Sequence, residues 1–132
     1  MTVHVPDRFK AANAFWIGLA KIGLTPAAVL SQARLPLTVY DGKKNLVTTA
    51  QFFALWRAVG ELCADPAAGL KIATQIDVGH RPPSTMAAYY ARDYRDAVAR
   101  LARFKQLCSP EELQIKVSKD ECVIEPGWLH AQ

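Results

Sequence analysis

This sequence has little of what catalytic and metal-binding domains use. It has three cysteines, Cys63, Cys108 and Cys122, an odd set without close spacing, which excludes a disulfide framework and a zinc knuckle. Its three histidines, His4, His80 and His130, are equally scattered. No His-x-x-x-His or Cys-x-x-Cys spacing is present to hold a metal, so neither a metal nor another cofactor is expected. The seven glycines are isolated, which leaves no glycine-rich phosphate loop and no nucleophile elbow. A Cys-His hydrolase would need a base beside its thiol. Cys63 and Cys108 instead fall on apolar helix stripes, where thiols act as small hydrophobes. Catalytic residues are therefore expected to be none, and the chain is not expected to be an enzyme. No apolar run approaches the roughly 20 residues that span a bilayer. The start, Met1 to Asp7, lacks the basic end and apolar centre of a signal peptide. A cytoplasmic protein without membrane contact is expected.

What the chain does have is apolar mass. At 132 residues, 51% hydrophobic and 21% charged, it reads as one packed domain over 1–132, large enough to bury roughly two-thirds of its unfolded surface. The net charge of +4 does not gather into a phosphate-binding stripe. Lys43-Lys44 fall in a turn, and Arg92, Arg95, Arg100 and Arg103 share a helix with Asp93 and Asp96. Arg92–Asp96 and Asp96–Arg100 are each four apart, so they pair along one solvated face.

Along the chain, Phe9, Ala12, Phe15, Trp16, Leu19 and Ile22 recur at helical spacing and predict a first helix over Asp7–Ile22, capped by Asp7 and stopped by Gly23. Thr25-Pro26 starts a second, with Val29, Leu30 and Ala33 inward, and Leu35-Pro36 ends it. Around Asp41-Gly42, the stretch from Leu37 to Val47 reads either as a small hairpin or as an irregular connector. Thr48 to Gln51 fits a capping box ahead of a central helix with Phe52, Leu55, Trp56, Val59, Leu62 and Cys63 on one stripe. Asp65-Pro66 launches a shorter helix carrying Leu70, Ile72, Ala73 and Ile76. The break Asp77 to Ser84 holds two adjacent prolines and is stiff. Ser84 or Thr85 caps a short helix, Met86 to Ala91. A longer one follows from Asp93 to Cys108, with Tyr94, Ala97, Val98, Leu101, Phe104 and Cys108 inward. Trp56 and Leu101, each central to its stripe, are expected to share a core. Leu113, Ile115 and Val117 then alternate with polar residues, Lys119-Asp120 turns the chain, and Glu121 to Glu125 returns. Five to six helices followed by a C-terminal antiparallel β-hairpin make an α+β fold. The lone hairpin, with unpaired backbone groups on both edges, points to self-association, most simply a two-fold homodimer in which hairpins pair or exchange. The alternative to this pairing between copies is a monomer in which Met1 to Pro6 folds back as a third strand, for which Val3 and Val5 alternate suitably.

Four features carry a family resemblance: Leu55-Trp56, the Asp-Pro-x-x-Gly-Leu run of Asp65 to Leu70, the small-residue helix Met86 to Ala91, and Ala97 to Phe104. In this order they resemble the N-terminal regulatory domain of AraC-type bacterial transcription regulators, in the class labelled arabinose-binding. The resemblance extends from about Gly23 to Glu125. It implies a domain that senses a small-molecule effector or self-associates. DNA would be bound only through a separate C-terminal domain with two helix-turn-helix units. No segment here has that pattern, and the family's domain normally continues with more strands and helices, so the chain reads as a fragment of a longer regulator. The rival reading is a stand-alone helical protein-interaction domain with no DNA-binding partner.

The effector and its contact residues are not legible. One polar-aromatic cluster has the chemistry of a binding site: His80-Arg81, whose guanidinium is a fork for carboxylate or phosphate, with Tyr89, Tyr90 and Tyr94 following. Its plainer reading is a surface loop beside boundary tyrosines. Trp16, Trp56 and Trp128 read as packing residues and Arg57 as a surface charge.

Overall fold

Thr48 opens the longest helix as the capping-box pattern predicts. Its hydroxyl accepts from the Gln51 N–H at 3.2 Å, and the Gln51 side chain accepts from the Thr48 N–H at 3.0 Å. Two donors that a helix start leaves unpaired are thereby satisfied. The computed structural model describes residues 4–43 and 45–131. Met1 to Val3, half of the expected fold-back strand, and Lys44 of the expected turn lie outside the described residues; His4 to Pro6 form no strand.

The helices are α1 (Asn13–Lys21), α2 (Pro26–Gln32), α3 (Thr38–Asp41), α4 (Thr49–Leu62), α5 (Ala68–Thr74), α6 (Pro83–Tyr89) and α7 (Tyr94–Phe104). The strands are β1 (Phe9–Lys10), β2 (Leu46–Val47), β3 (Glu111–Val117) and β4 (Cys122–Trp128). This is the predicted α+β order, helices first and an antiparallel pair last. Among the described residues, no single helix is long and apolar enough to cross a membrane. The chain forms two compact units: Lys10–Arg81 is one, and the residues up to Phe9 with those from Pro82 onward are the other.

In the first unit, α2 packs against α4, and α1 against both α2 and α5. The core is Leu19, Val29, Leu30, Leu55 and Val59, all essentially inaccessible. Helix α1 starts later than predicted. Ala12 stands at its cap without a side-chain bond, because Phe9, which begins the predicted stripe, is buried from a non-helical segment, as is Ala11. Gly18 sits where α5 comes close: a Cβ there would stand 2.5 Å from Ile72 Cγ2. Gly23 ends α1 at φ +83°, with Leu24 N–H on the Leu19 carbonyl and Gly23 N–H on Ala20, the Schellman pattern. Helix α2 ends the same way with Arg34 in the left-handed position, φ 57°. Between Leu37 and Val47 the hairpin alternative fails: Thr38–Asp41 forms one helical turn. Trp16 Nε1 is buried with no hydrogen-bond partner among the described residues.

In the second unit, α6 packs on α7, and α7 on β3. Asp93 caps α7 by accepting from the Asp96 N–H at 2.8 Å, as predicted, but the α-helix gives way to a 3₁₀ turn at Lys105–Leu107. Helix α6 begins on Pro83, earlier than predicted, using proline's preset φ at the first turn. Arg92 and Arg100 both pair with Asp96, at 3.3 and 3.1 Å, the pairing expected from their spacing. Strands β3 and β4 pair Leu113 with Pro126 and Ile115 with Ile124. Ladder bonds such as Ser118 N–H to Glu121 and Leu129 N–H to Pro110 place the bonded pairs at even positions of β3. Pro126 is therefore at a non-bonded pair, and its missing N–H faces the outer edge, the position a strand tolerates. Trp56 and Leu101 fall in different units, so the expected shared core is not found. Leu70 and Tyr94, both expected inward, are 67% and 70% exposed.

Candidate functional site

A concavity lies where α4 ends and α5 begins. Both helices needed a break here, and Asp65-Pro66 supplies it. The Asp65 carboxylate accepts from the Ala67 N–H at 2.8 Å, an Asx-type turn that bends the chain before α5 starts at Ala68. The predicted start at Asp65 is thus a turn rather than the first helical residue. Between the two helices is an open cleft of about 370 Å³, lined by Trp56, Val59, Gly60, Cys63, Ala64, Asp65, Pro66, Ala68 and Gly69. That volume falls within the range of small-molecule sites.

Each wall follows from local sequence. Trp56 is half-buried, its ring edge-on to Phe15 (5.1 Å between centroids) and Phe52 (6.3 Å). It is thus a packing residue, as expected, and also a wall of the cleft. Val59 and Ala68 are buried beneath it. Gly60 and Gly69 leave the space open: a Cβ on Gly60 would meet nothing within 4 Å, and one on Gly69 would reach only Trp56 Cζ3 at 3.9 Å. Cys63 is half-buried.

Asp65 is the carboxylate in this lining. Its second oxygen pairs with the ammonium of Lys71, one turn into α5. Bonding to Lys71, and then to the Ala67 N–H, holds the Asp65 carboxyl below the usual carboxylate range; the same pairing raises the Lys71 ammonium. Both groups are fully charged at neutral pH. No histidine lines the cleft, and an anion already bonded by two donors is a poor proton acceptor. An apolar wall beside an engaged carboxylate is an arrangement that can bind. Among the described residues, no group of three His, Cys, Asp or Glu side chains is placed to hold a metal.

The polar-aromatic cluster singled out in the sequence draws its residues from both units. His80 and Arg81 belong to the first unit, and Tyr89, Tyr90 and Tyr94 to the second. The tyrosines are exposed, Tyr89 and Tyr90 edge-on to one another at 5.3 Å. Of the thiols expected to be buried, Cys63 and Cys108 are half-buried, with Cys108 Sγ 3.5 Å from the buried Ser84 hydroxyl; Cys122 is exposed on β4. Gly60, Cys63 and Gly69 were not marked as site residues by sequence reasoning. Their signal was a glycine inside a strong helix, opposite a second glycine just past an Asp-Pro turn.

Residues 23–130 match the N-terminal arabinose-binding domain of AraC transcription regulators. The match contains the cleft, α4, α5 and the whole β3–β4 pair. No curated protein matches the chain.

Proposed function

The chain belongs to the family of N-terminal arabinose-binding domains of AraC transcription regulators, and from that membership we propose that it is an effector-sensing domain that binds a small molecule in the α4–α5 cleft, associates with a second copy, and does not itself bind DNA specifically. The observation that carries the sensing role is the cleft itself, of ligand size and inside the matched span. The family label does not favour a sugar. A pentose presents a ring of hydroxyls, each needing a partner, whereas this lining is Trp56, Val59, Ala64, Pro66 and Ala68 with one carboxylate.

Binding without turnover is part of this reading, and it is supported by the engagement of the Asp65 carboxylate with Lys71 and the Ala67 N–H. The DNA reading rests on charge. Arg92 and Arg100 are engaged by Asp96, and the Arg103 guanidinium lies 5.4 Å from the centre of the Phe104 ring, so three of the four arginines from Arg92 to Arg103 already have neighbours and Arg95 stands exposed beside them. In the parent regulator DNA is contacted through another domain, in a protein working in the cytoplasm.

Thermal-shift measurements across small-molecule classes test the sensing role, with stabilisation growing with ligand concentration as mass action requires. Light scattering over a concentration series tests association, and a strictly monomeric mass at millimolar protein rejects it. Anisotropy with duplex DNA should give only weak binding that collapses with salt; sequence-dependent, salt-resistant binding refutes the DNA reading.

A further inference from the structure

We propose that the α4–α5 cleft selects a small organic ammonium compound, its apolar body against Trp56 and its cationic head on Asp65 in the place Lys71 now occupies. This rests on the reading of the domain as a small-molecule sensor and adds the ligand's chemistry and an internal competitor for the site.

Charge complementarity leads to it. The cleft lining combines an indole, the aromatic group that best attracts cations, with a single carboxylate, Asp65. An indole beside a carboxylate is a receptor for a cation with an apolar body and a poor one for an anion. Asp65 is already shown to accept an ammonium here, because the Lys71 side chain reaches back six residues to it. Lys71 is 55% exposed and Asp65 31%, and an exposed lysine pair of this kind contributes little net stability. The lysine can therefore swing into water and give its place to a ligand head whose body is driven by burial in the cleft. The Ala67 N–H stays on the other Asp65 oxygen, so the carboxylate keeps its orientation during the exchange. Gly60 gives a ligand its room: a helix-interior glycine costs stability, and here an added Cβ would meet no atom within 4 Å.

The test uses three probes that share a ring and differ in head group: benzylamine, benzyl alcohol and benzoate, titrated by calorimetry. Benzylamine should bind about tenfold more tightly than either of the others, the scale expected of a charge-assisted contact. Asp65→Asn, which keeps the acceptor for Ala67 and removes the charge, should abolish that preference. Lys71→Gln should tighten benzylamine about threefold or more by removing the competitor for the carboxylate. Gly60→Leu should block all three while melting no lower than the parent, which shows that it folds. Benzoate binding best, and being lost in Lys71→Gln, would overturn the proposal by making the lysine the receptor. Failure of all three probes to bind at about 10 mM, against affinities expected for so few contacts, would overturn it too. If other ligands still stabilise the Gly60→Leu protein, the sensing role stands and this site does not.

Discussion

Replacing Gly60 with alanine should stabilise the protein, and the reason lies in two facts that usually oppose each other. Gly60 is within α4, two residues before its end at Leu62, where glycine costs about 0.5–1 kcal/mol relative to alanine through the freedom it loses on folding. A new methyl normally risks a clash, but here it meets no atom within 4 Å, so the propensity gain is not offset. With an unfolding entropy of about 2 cal/mol/K per residue, the gain raises the melting temperature by roughly 2–4 °C if all 132 residues melt together, and by more if the first unit melts alone. Gly18→Ala supplies the opposite sign from the same chemistry. Its Cβ would stand 2.5 Å from Ile72 Cγ2, and forcing α1 from α5 should cost about 1–3 kcal/mol. Thermal melts by circular dichroism, read at 222 nm, compare the two variants directly. A Gly60→Ala protein that melts at or below the parent would refute the reasoning, because it would mean that the cleft beside α4 is filled.

Three further outcomes are expected. Arg34→Gly should stabilise by about 1 kcal/mol in urea titrations, since Arg34 holds φ 57° at the end of α2 and only glycine adopts that region without steric cost. Trp16→Phe should cost clearly less than the roughly 3–5 kcal/mol of a full aromatic truncation, because it removes the indole N–H that is buried without a partner and whose desolvation is uncompensated; equal losses for Trp16→Phe and Trp16→Ala would contradict this. Asp65 and Asp96 both have carboxyl groups held below the usual range, Asp65 by Lys71 and Asp96 first by the Arg92 backbone N–H and then by the Arg100 and Arg92 side chains. Their contribution is present above the unfolded carboxyl value near pH 4 and lost as pH falls through the lower folded value. Between pH 5 and pH 2 the double variant Asp65→Asn/Asp96→Asn should therefore lose less melting temperature than the parent.

Helix starts with a side chain able to cap were legible in the sequence. Thr25, Thr48 with Gln51, and Asp93 all accept the predicted backbone N–H, since a cap is chemistry within four residues. The first helix starts later than its stripe implies because Phe9 is buried from a non-helical path as α1 residues are from a helix. Burial of α5 and α7 was overestimated at Leu70 and Tyr94, because an apolar stripe shows which face is inward but not how far a neighbour extends over it. The Asp65 to Leu70 run was recognised as a family feature without its chemistry. The cleft exists only because α4 and α5 meet at the angle set by the Asp65 turn, and no spacing within either helix encodes that angle.

Pro126 has a bearing on how far copies of this chain can assemble. The outer edge of β4 presents Cys122 and Ile124 but lacks a donor at Pro126, whose ring also stands in the way of an incoming strand. The outer edge of β3 has a donor at Leu113, Ile115 and Val117. Polymerisation by strand addition needs two competent edges on each subunit, so that every copy can hand growth on to the next. A subunit with one complete edge terminates whatever it joins. Edge-to-edge contact between these hairpins can therefore close as a pair, and the single proline makes a fibre the unfavourable outcome.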